Sequence, residues 1–182
     1  MTRQLTYLAY GSNLHPLRLR ERVPSADLLG VVNLSGQRVV FHKISPDGSS
    51  KCDLVDAGRS ALAFGALYTL DASDLPALDA VEGVGSGYDR MPFPLYFRGQ
   101  ALRPFTYRAS ATHIHPRQQP FAWYRDLVTE GARYLGLPDC YCRDLAAVAA
   151  QHDPDPARQA EHAALVARIR RFARSARPRP VS

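Results

Sequence analysis

The residues of this chain best placed to do chemistry are the run Tyr10-Gly11-Ser12-Asn13-Leu14 and the carboxylate of Glu82. The run closes a short apolar segment, Tyr7-Leu8-Ala9, and Pro16 follows it, so a strand ends there and a helix begins. Glycine lets a ligand approach the backbone, and the first N–H groups of a helical turn have no acceptor within it. Such a turn makes a small cradle for an anion, a carboxylate included. Glu82 stands in Leu78-Asp79-Ala80-Val81-Glu82-Gly83-Val84, where Gly83 stops a helix and leaves the acid on the last turn. A lone carboxylate at the negative end of a helix dipole is poised for proton transfer. Cradle and acid together point to acid–base chemistry on a carboxylate-bearing substrate.

Other reactive groups carry less. Ser12 lacks the G-x-S-x-G context of a serine nucleophile, and no His/Asp partnering is evident. His15 reads as a solvated residue at the helix start. Cys140-Tyr141-Cys142 and the pair His113/His115 lack the repeated spacing of a zinc site, and with Cys52 they make three reduced, structural thiols and two loop histidines. No metal and no cofactor is expected.

The elements that must position the cradle and the acid follow from patterning. Residues 4–10 read as a strand and Pro16–Arg22 as a short helix with Asn13 as its cap. Residues 27–34 and 37–44 read as two strands broken by a hairpin-type turn at Ser35-Gly36, and residues 45–59 as a polar loop long enough for a flap or binding loop. Residues 61–70 form a buried strand. Ser73 then caps a helix whose Leu75, Leu78 and Val81 share one apolar face. Residues 88–97, with Pro92 and Pro94, and 101–109 complete the strands. Phe121, Tyr124, Leu127, Val128, Ala132 and Leu135 make one helical stripe ended by Gly136-Leu137-Pro138. Two more helices cover 139–150 and 156–173, and 176–182 is a disordered-looking tail. The fold class is α+β: a small curved mixed sheet or barrel with flanking helices and a helical C-terminal region.

At 182 residues the chain holds one well-buried core, and its 46% hydrophobic and 22% charged content is that of a soluble globular protein. Nothing approaches the roughly 20 apolar residues of a membrane span, and the N-terminus has no secretory pattern, so a cytoplasmic protein is expected. The net charge of +6 invites a nucleic-acid reading. Arg168, Arg170, Arg171, Arg174, Arg177 and Arg179 account for that whole excess within the last fifteen residues, so nucleic acid is not the expected partner.

Three separated segments now coincide: Tyr7-Leu8-Ala9-Tyr10-Gly11-Ser12-Asn13-Leu14, Leu78-Asp79-Ala80-Val81-Glu82-Gly83-Val84-Gly85-Ser86-Gly87-Tyr88, and Thr106-Tyr107-Arg108 with Trp123-Tyr124. In that order and spacing the chain resembles the γ-glutamylcyclotransferase family from about Gln4 to Asp153. The resemblance implies a domain over 1–153, followed by a helix and basic tail over 154–182. It implies an enzyme releasing 5-oxoproline and a free amine from a γ-glutamyl compound, without metal or cofactor, with a homodimer favoured. It places the catalytic acid on Glu82 and the head-group loop on Tyr7 to Leu14, that is Tyr7, Tyr10, Gly11, Ser12, Asn13 and Leu14. Tyr107 and Tyr124 match tyrosines lining the pocket.

The chemistry fits these residue types. The substrate's own α-amino group attacks its γ-carbonyl, so no protein nucleophile is required, and fixing the folded conformer exploits a large effective molarity. One carboxyl group can take the amine's proton and return it to the leaving amine. Val81, Val84 and Tyr88 would give Glu82 an apolar setting, and the leaving portion would meet residues 45–59 and 110–120. A γ-glutamyl acyltransferase or amidase in the same pocket is the nearest alternative, and a binding module acting through the basic tail the next.

Overall fold

The computed structural model describes residues 3–175. The sequence's alternation produces a five-stranded mixed sheet in the order β2-β5-β1-β9-β6. Its members are β1 (Gln4–Ala9), β2 (Asp27–Ser35), β5 (Leu62–Asp71), β6 (Tyr88–Pro92) and β9 (Phe105–Ala109). A hairpin of β3 (Gln37–Ile44) and β4 (Ser50–Asp56) forms a second layer, and β7 (Leu95–Phe97) with β8 (Gln100–Leu102) a small arm. The helices are α1 (Pro16–Arg20), α2 (Leu75–Glu82), α3 (Ala122–Tyr134), α4 (Asp139–Ala146) and α5 (Pro156–Ser175). Among the described residues the sheets are curved but do not close into a barrel, and the α+β class holds.

Strand β1 runs through the centre because both its faces are covered. Leu8 and Ala9 are buried with Leu67, Tyr68 and Leu70 of the antiparallel β5. On its other side β1 meets β9 in parallel at one pair, Tyr7 and Phe105. Where these strands part, hydroxyls replace ladder bonds: Thr106 Oγ1 donates to the Leu8 carbonyl at 2.9 Å, and the Tyr10 hydroxyl to the Tyr107 carbonyl. The gap they bridge is where the candidate site opens.

Several local expectations change. Ser35-Gly36 is not a hairpin turn: β2 pairs with β5 while β3 pairs with β4, so the chain turns a corner between layers. The bonds at that corner run from Gly36 N–H to the Ala61 carbonyl and from Ala57 N–H to the Gly36 carbonyl. Residues 45–59 are not a flap. Seven of them form β4, whose Ser50, Cys52, Asp53 and Leu54 are buried; the polar Asp53 is tolerated there because His42 and two backbone N–H groups satisfy it internally. The second late strand is interrupted at Arg103-Pro104, giving β8 and β9.

Helix α1 is capped by His15, not Asn13. The His15 Nδ1 accepts from the Leu17 N–H at 3.1 Å, and the ring is fully buried against Tyr134 rather than solvated. Helix α2 begins after a short 3-10 turn at Ala72–Asp74, and Ser73 makes no cap bond. Its apolar face also narrows: Leu78 is buried, whereas Val81 is 50% exposed. Helix α5 packs on α3 through buried Leu165, Val166 and Ile169, each side chain contributing about 1.5–3 kcal/mol of burial. Residues 176–182, expected to be a disordered tail, lie outside the described residues.

Candidate active site

Helix α2 carries Glu82 as its last residue, and Gly83 ends it in the left-handed conformation (φ 67°), which a side chain would strain. Three attachments fix the helix. Asp74 accepts from the Ser25 hydroxyl at 2.6 Å and from its N–H, tying the start of α2 to the loop after α1. One turn before Glu82, Asp79 accepts from the Tyr107 hydroxyl at 2.7 Å and pairs with Arg90, tying α2 to β9 and β6. At the end, Glu82 Oε1 accepts from Asn13 Nδ2 at 2.9 Å and from Arg22 at 3.3 Å.

Those contacts bring the acid to the turn after β1. Ser12–Leu14 form a 3-10 turn, and Ser12 and Asn13 are largely buried. Gly11 allows a close approach, since a Cβ there would lie 3.1 Å from the Cβ of Cys52 on β4. Arg22 donates to Asn13 Oδ1 at 3.0 Å, which orients the amide so that its NH2 faces Glu82 and the Tyr7 hydroxyl, 3.1 Å away.

Tyr7, Tyr10, Gly11, Ser12, Asn13, Cys52, Glu82, Tyr88, Tyr107 and Tyr124 line one tight cavity. Glu82 is the one carboxylate among its lining residues. Of the residues singled out in the sequence, Leu14 does not line it. Leu14 is fully buried beneath the turn, where its carbonyl accepts from the Tyr68 hydroxyl at 2.8 Å, so it supports the cradle from below. Val84 is 39% exposed and, like Val81, gives Glu82 no apolar setting; the tyrosines do that instead. Residues 110–120 contribute no lining side chain, and 45–59 contribute Cys52 alone.

The far wall is built from backbone-bound tyrosines. Cys52 N–H donates to the Tyr124 hydroxyl at 3.1 Å, and the Tyr88 hydroxyl donates to the Cys52 carbonyl. Both polar groups of that peptide thus find side chains where a further strand would otherwise pair. The chain's two lysines support this wall: Lys43 Nζ lies 4.6 Å from the Tyr88 ring centroid and Lys51 Nζ 4.8 Å from that of Tyr124. Burial pushes the Lys43 ammonium below its ordinary range, with the Glu82 charge opposing that shift.

Burial likewise pushes the phenols of Tyr7, Tyr10, Tyr88, Tyr107 and Tyr124 far above their ordinary value, so all five stay protonated. Burial also raises the Cys52 thiol, which leaves it without the thiolate a nucleophile needs. Among the described residues no three or more His, Cys, Asp or Glu side chains cluster as a metal site would require. Arg22 and Cys52 gave no signal in the sequence. Arg22 reads as one arginine among several on a charged helix, and Cys52 sits in a stretch that reads as loop.

The model of the AIG2-like family matches residues 63–145, which hold α2 with Glu82, Tyr88, Tyr107 and Tyr124. The γ-glutamylcyclotransferase of Bos taurus is 28% identical over 149 residues, covering 78% of this chain and 77% of its own. That of Homo sapiens is 27% identical over 146 residues with the same coverage. A solved γ-glutamyl cyclotransferase superposes with a TM-score of 0.79 at 23% identity, across 91% of this chain and 99% of its own. The chain is thus similar to γ-glutamylcyclotransferases over about four fifths of its length and shares their fold. Among the described residues no helix is long and apolar enough to cross a membrane.

Proposed function

We propose that the chain is a γ-glutamylcyclotransferase in which Glu82 carries the proton. The observation behind this reading is that Glu82, the single carboxylate of a tyrosine-walled cavity, is hydrogen-bonded at one oxygen to the Asn13 of the Gly-Ser-Asn turn. No acceptor-seeking group among the described residues bonds its second oxygen, Oε2, which is left for substrate.

In this scheme the substrate's α-carboxylate lies against the N–H groups of the turn after β1, at Gly11, Ser12 and Asn13. Tyr10, Tyr107 and Tyr124 give the cavity its shape around the γ-glutamyl chain. Glu82 takes a proton from the α-ammonium, and the neutral nitrogen attacks the γ-carbonyl carbon to form a five-membered ring. Collapse of the tetrahedral intermediate breaks the bond to the departing nitrogen, which receives the proton back from Glu82. The products are 5-oxoproline and a free amine or amino acid. No metal or cofactor enters these steps. A cytoplasmic homodimer acting on γ-glutamyl-amino acids belongs to the same reading.

Glu82→Gln removes the proton transfer, together with the charge that faces Arg22, while keeping an oxygen for Asn13 to bond. Turnover falls by about 100- to 10,000-fold while fold and substrate affinity persist. The assay is 5-oxoproline release, by mass spectrometry, from a panel of γ-glutamyl dipeptides, γ-glutamyl amines and glutathione. Near-normal release by the glutamine variant would remove Glu82 from the acid–base role. Free glutamate in place of 5-oxoproline would mark an amidase, a reading the protonated Cys52 thiol does not favour.

A further inference from the structure

The cyclisation places negative charge on the γ-carbonyl oxygen, and that oxygen needs a hydrogen-bond donor inside the cavity. Five tyrosine hydroxyls line the cavity, and each has one proton to give. Three of those protons are committed to oxygen acceptors, and the Tyr124 proton has the Cys52 sulfur, a weak acceptor, beside it. Tyr10 donates to the Tyr107 carbonyl, Tyr88 to the Cys52 carbonyl, and Tyr107 to Asp79 Oδ1. Tyr124 accepts from the Cys52 N–H and is hydrogen-bonded to the Cys52 side chain.

Tyr7 differs. Arg22 can only donate, so its bond to Asn13 Oδ1 fixes which end of that amide is nitrogen, and Asn13 Nδ2 must then donate to the Tyr7 oxygen. The Tyr7 hydroxyl is therefore an acceptor in this contact, and its own proton has no acceptor among the described residues. The same Nδ2 donates to Glu82 Oε1, so one amide holds both the acid and the phenol at fixed positions. The ring cannot swing away, because it stacks on Phe105 at 5.2 Å and meets Tyr107 edge-on at 5.8 Å.

We infer that Tyr7 is a catalytic residue of this site, the hydrogen-bond donor to the developing γ-oxyanion, with its proton turned into the cavity by the Arg22–Asn13 pair. The inference rests on the cyclotransferase reading above. It involves no net proton transfer from Tyr7: the phenol donates a hydrogen bond to the oxygen as charge forms and loses it as the carbonyl returns.

The test is Tyr7→Phe, which keeps the ring and its stacking. With γ-glutamyl-alanine as substrate, kcat falls about 100- to 1,000-fold and KM changes less than about 3-fold, because the lost bond is strongest in the transition state. Calorimetric affinity of γ-glutamyl-alanine for Glu82→Gln is unchanged, within about 3-fold, by adding Tyr7→Phe. A second variant, Asn13→Ala, removes what orients the phenol. In its background Tyr7→Phe costs markedly less than in the wild type, since the two side chains act as a unit. A Tyr7→Phe enzyme keeping kcat within about 3-fold would overturn the inference, as would a loss residing in KM or full multiplication of the two effects. Absence of 5-oxoproline from the wild-type protein with every γ-glutamyl compound would instead end the cyclotransferase reading itself.

Discussion

The two walls of the cavity are built on different principles. On the Glu82 side, polar side chains bond to one another: Arg22 to Asn13, Asn13 to Tyr7 and Glu82, Tyr107 to Asp79. On the Cys52 side, hydroxyls bond to or beside the backbone of β4, with Tyr88 on its carbonyl and Tyr124 on its N–H. A side-chain network can leave a carboxylate oxygen and a phenol proton open to substrate. Hydroxyls tied to a strand are occupied, and what they supply is a fixed shape. In the proposed reaction the first wall supplies the chemistry and the second the fit.

Variants on the two walls should separate accordingly. The largest effect falls on the first wall, where Glu82→Gln and then Tyr7→Phe remove turnover while the melting temperature stays within a few degrees of the wild type. Changes at the second wall are read in stability. Gly11→Ala puts a Cβ 3.1 Å from that of Cys52, joining the two walls too tightly. It should cost about 1–3 kcal/mol in urea unfolding and lower activity with it. Full activity at unchanged stability would show that β4 can retreat from the turn. Tyr88→Phe leaves the buried Cys52 carbonyl without its donor and should cost about 1–3 kcal/mol, with kcat falling far less than for Tyr7→Phe. A larger kcat loss at Tyr88 than at Tyr7 would invert the assignment of the walls.

The smallest effect tests the support beneath the first wall. Burial lowers the His15 imidazole from its ordinary 6.5 to about 4. The unfolded chain therefore binds a proton that the folded one does not between those values, so stability is full above pH 6.5 and declines as pH falls toward 4. His15→Asn keeps a cap for the Leu17 N–H and removes that titration. Urea unfolding midpoints should then fall less steeply across that interval, and an unchanged slope would exclude His15 as a source.

How much of this was legible in the chain depended on how local the cause was. Gly83 had to end a helix wherever that helix lay, and its left-handed conformation placed Glu82 on the final turn. The Gly-Ser-Asn turn was equally local, because a strand stopping at glycine needs nothing from the rest of the fold. Tyr7, Tyr10, Gly11, Ser12, Asn13, Tyr107 and Tyr124, the residues the resemblance points to, line one cavity with Glu82. Leu14 went astray because adjacency in a turn does not say which side chain faces inward. The positive tail looked unattached in sequence, yet Arg168 pairs with Glu21 and Arg170 with Asp126 and Glu130. Arg177 and Arg179 lie outside the described residues.

The sequence by itself determined the strand–turn before Pro16 and the helix that ends at Glu82, since helix stops, glycine turns and apolar periodicity are properties of short segments. Only the tertiary structure decided that His15 would be buried, that residues 50–56 would be a strand carrying Cys52 into the cavity, and which hydroxyl protons would remain free. Those outcomes depend on which distant backbone groups arrive unpaired beside a side chain. A donor has one proton to give, and its acceptor is settled by packing rather than by its neighbours in the chain.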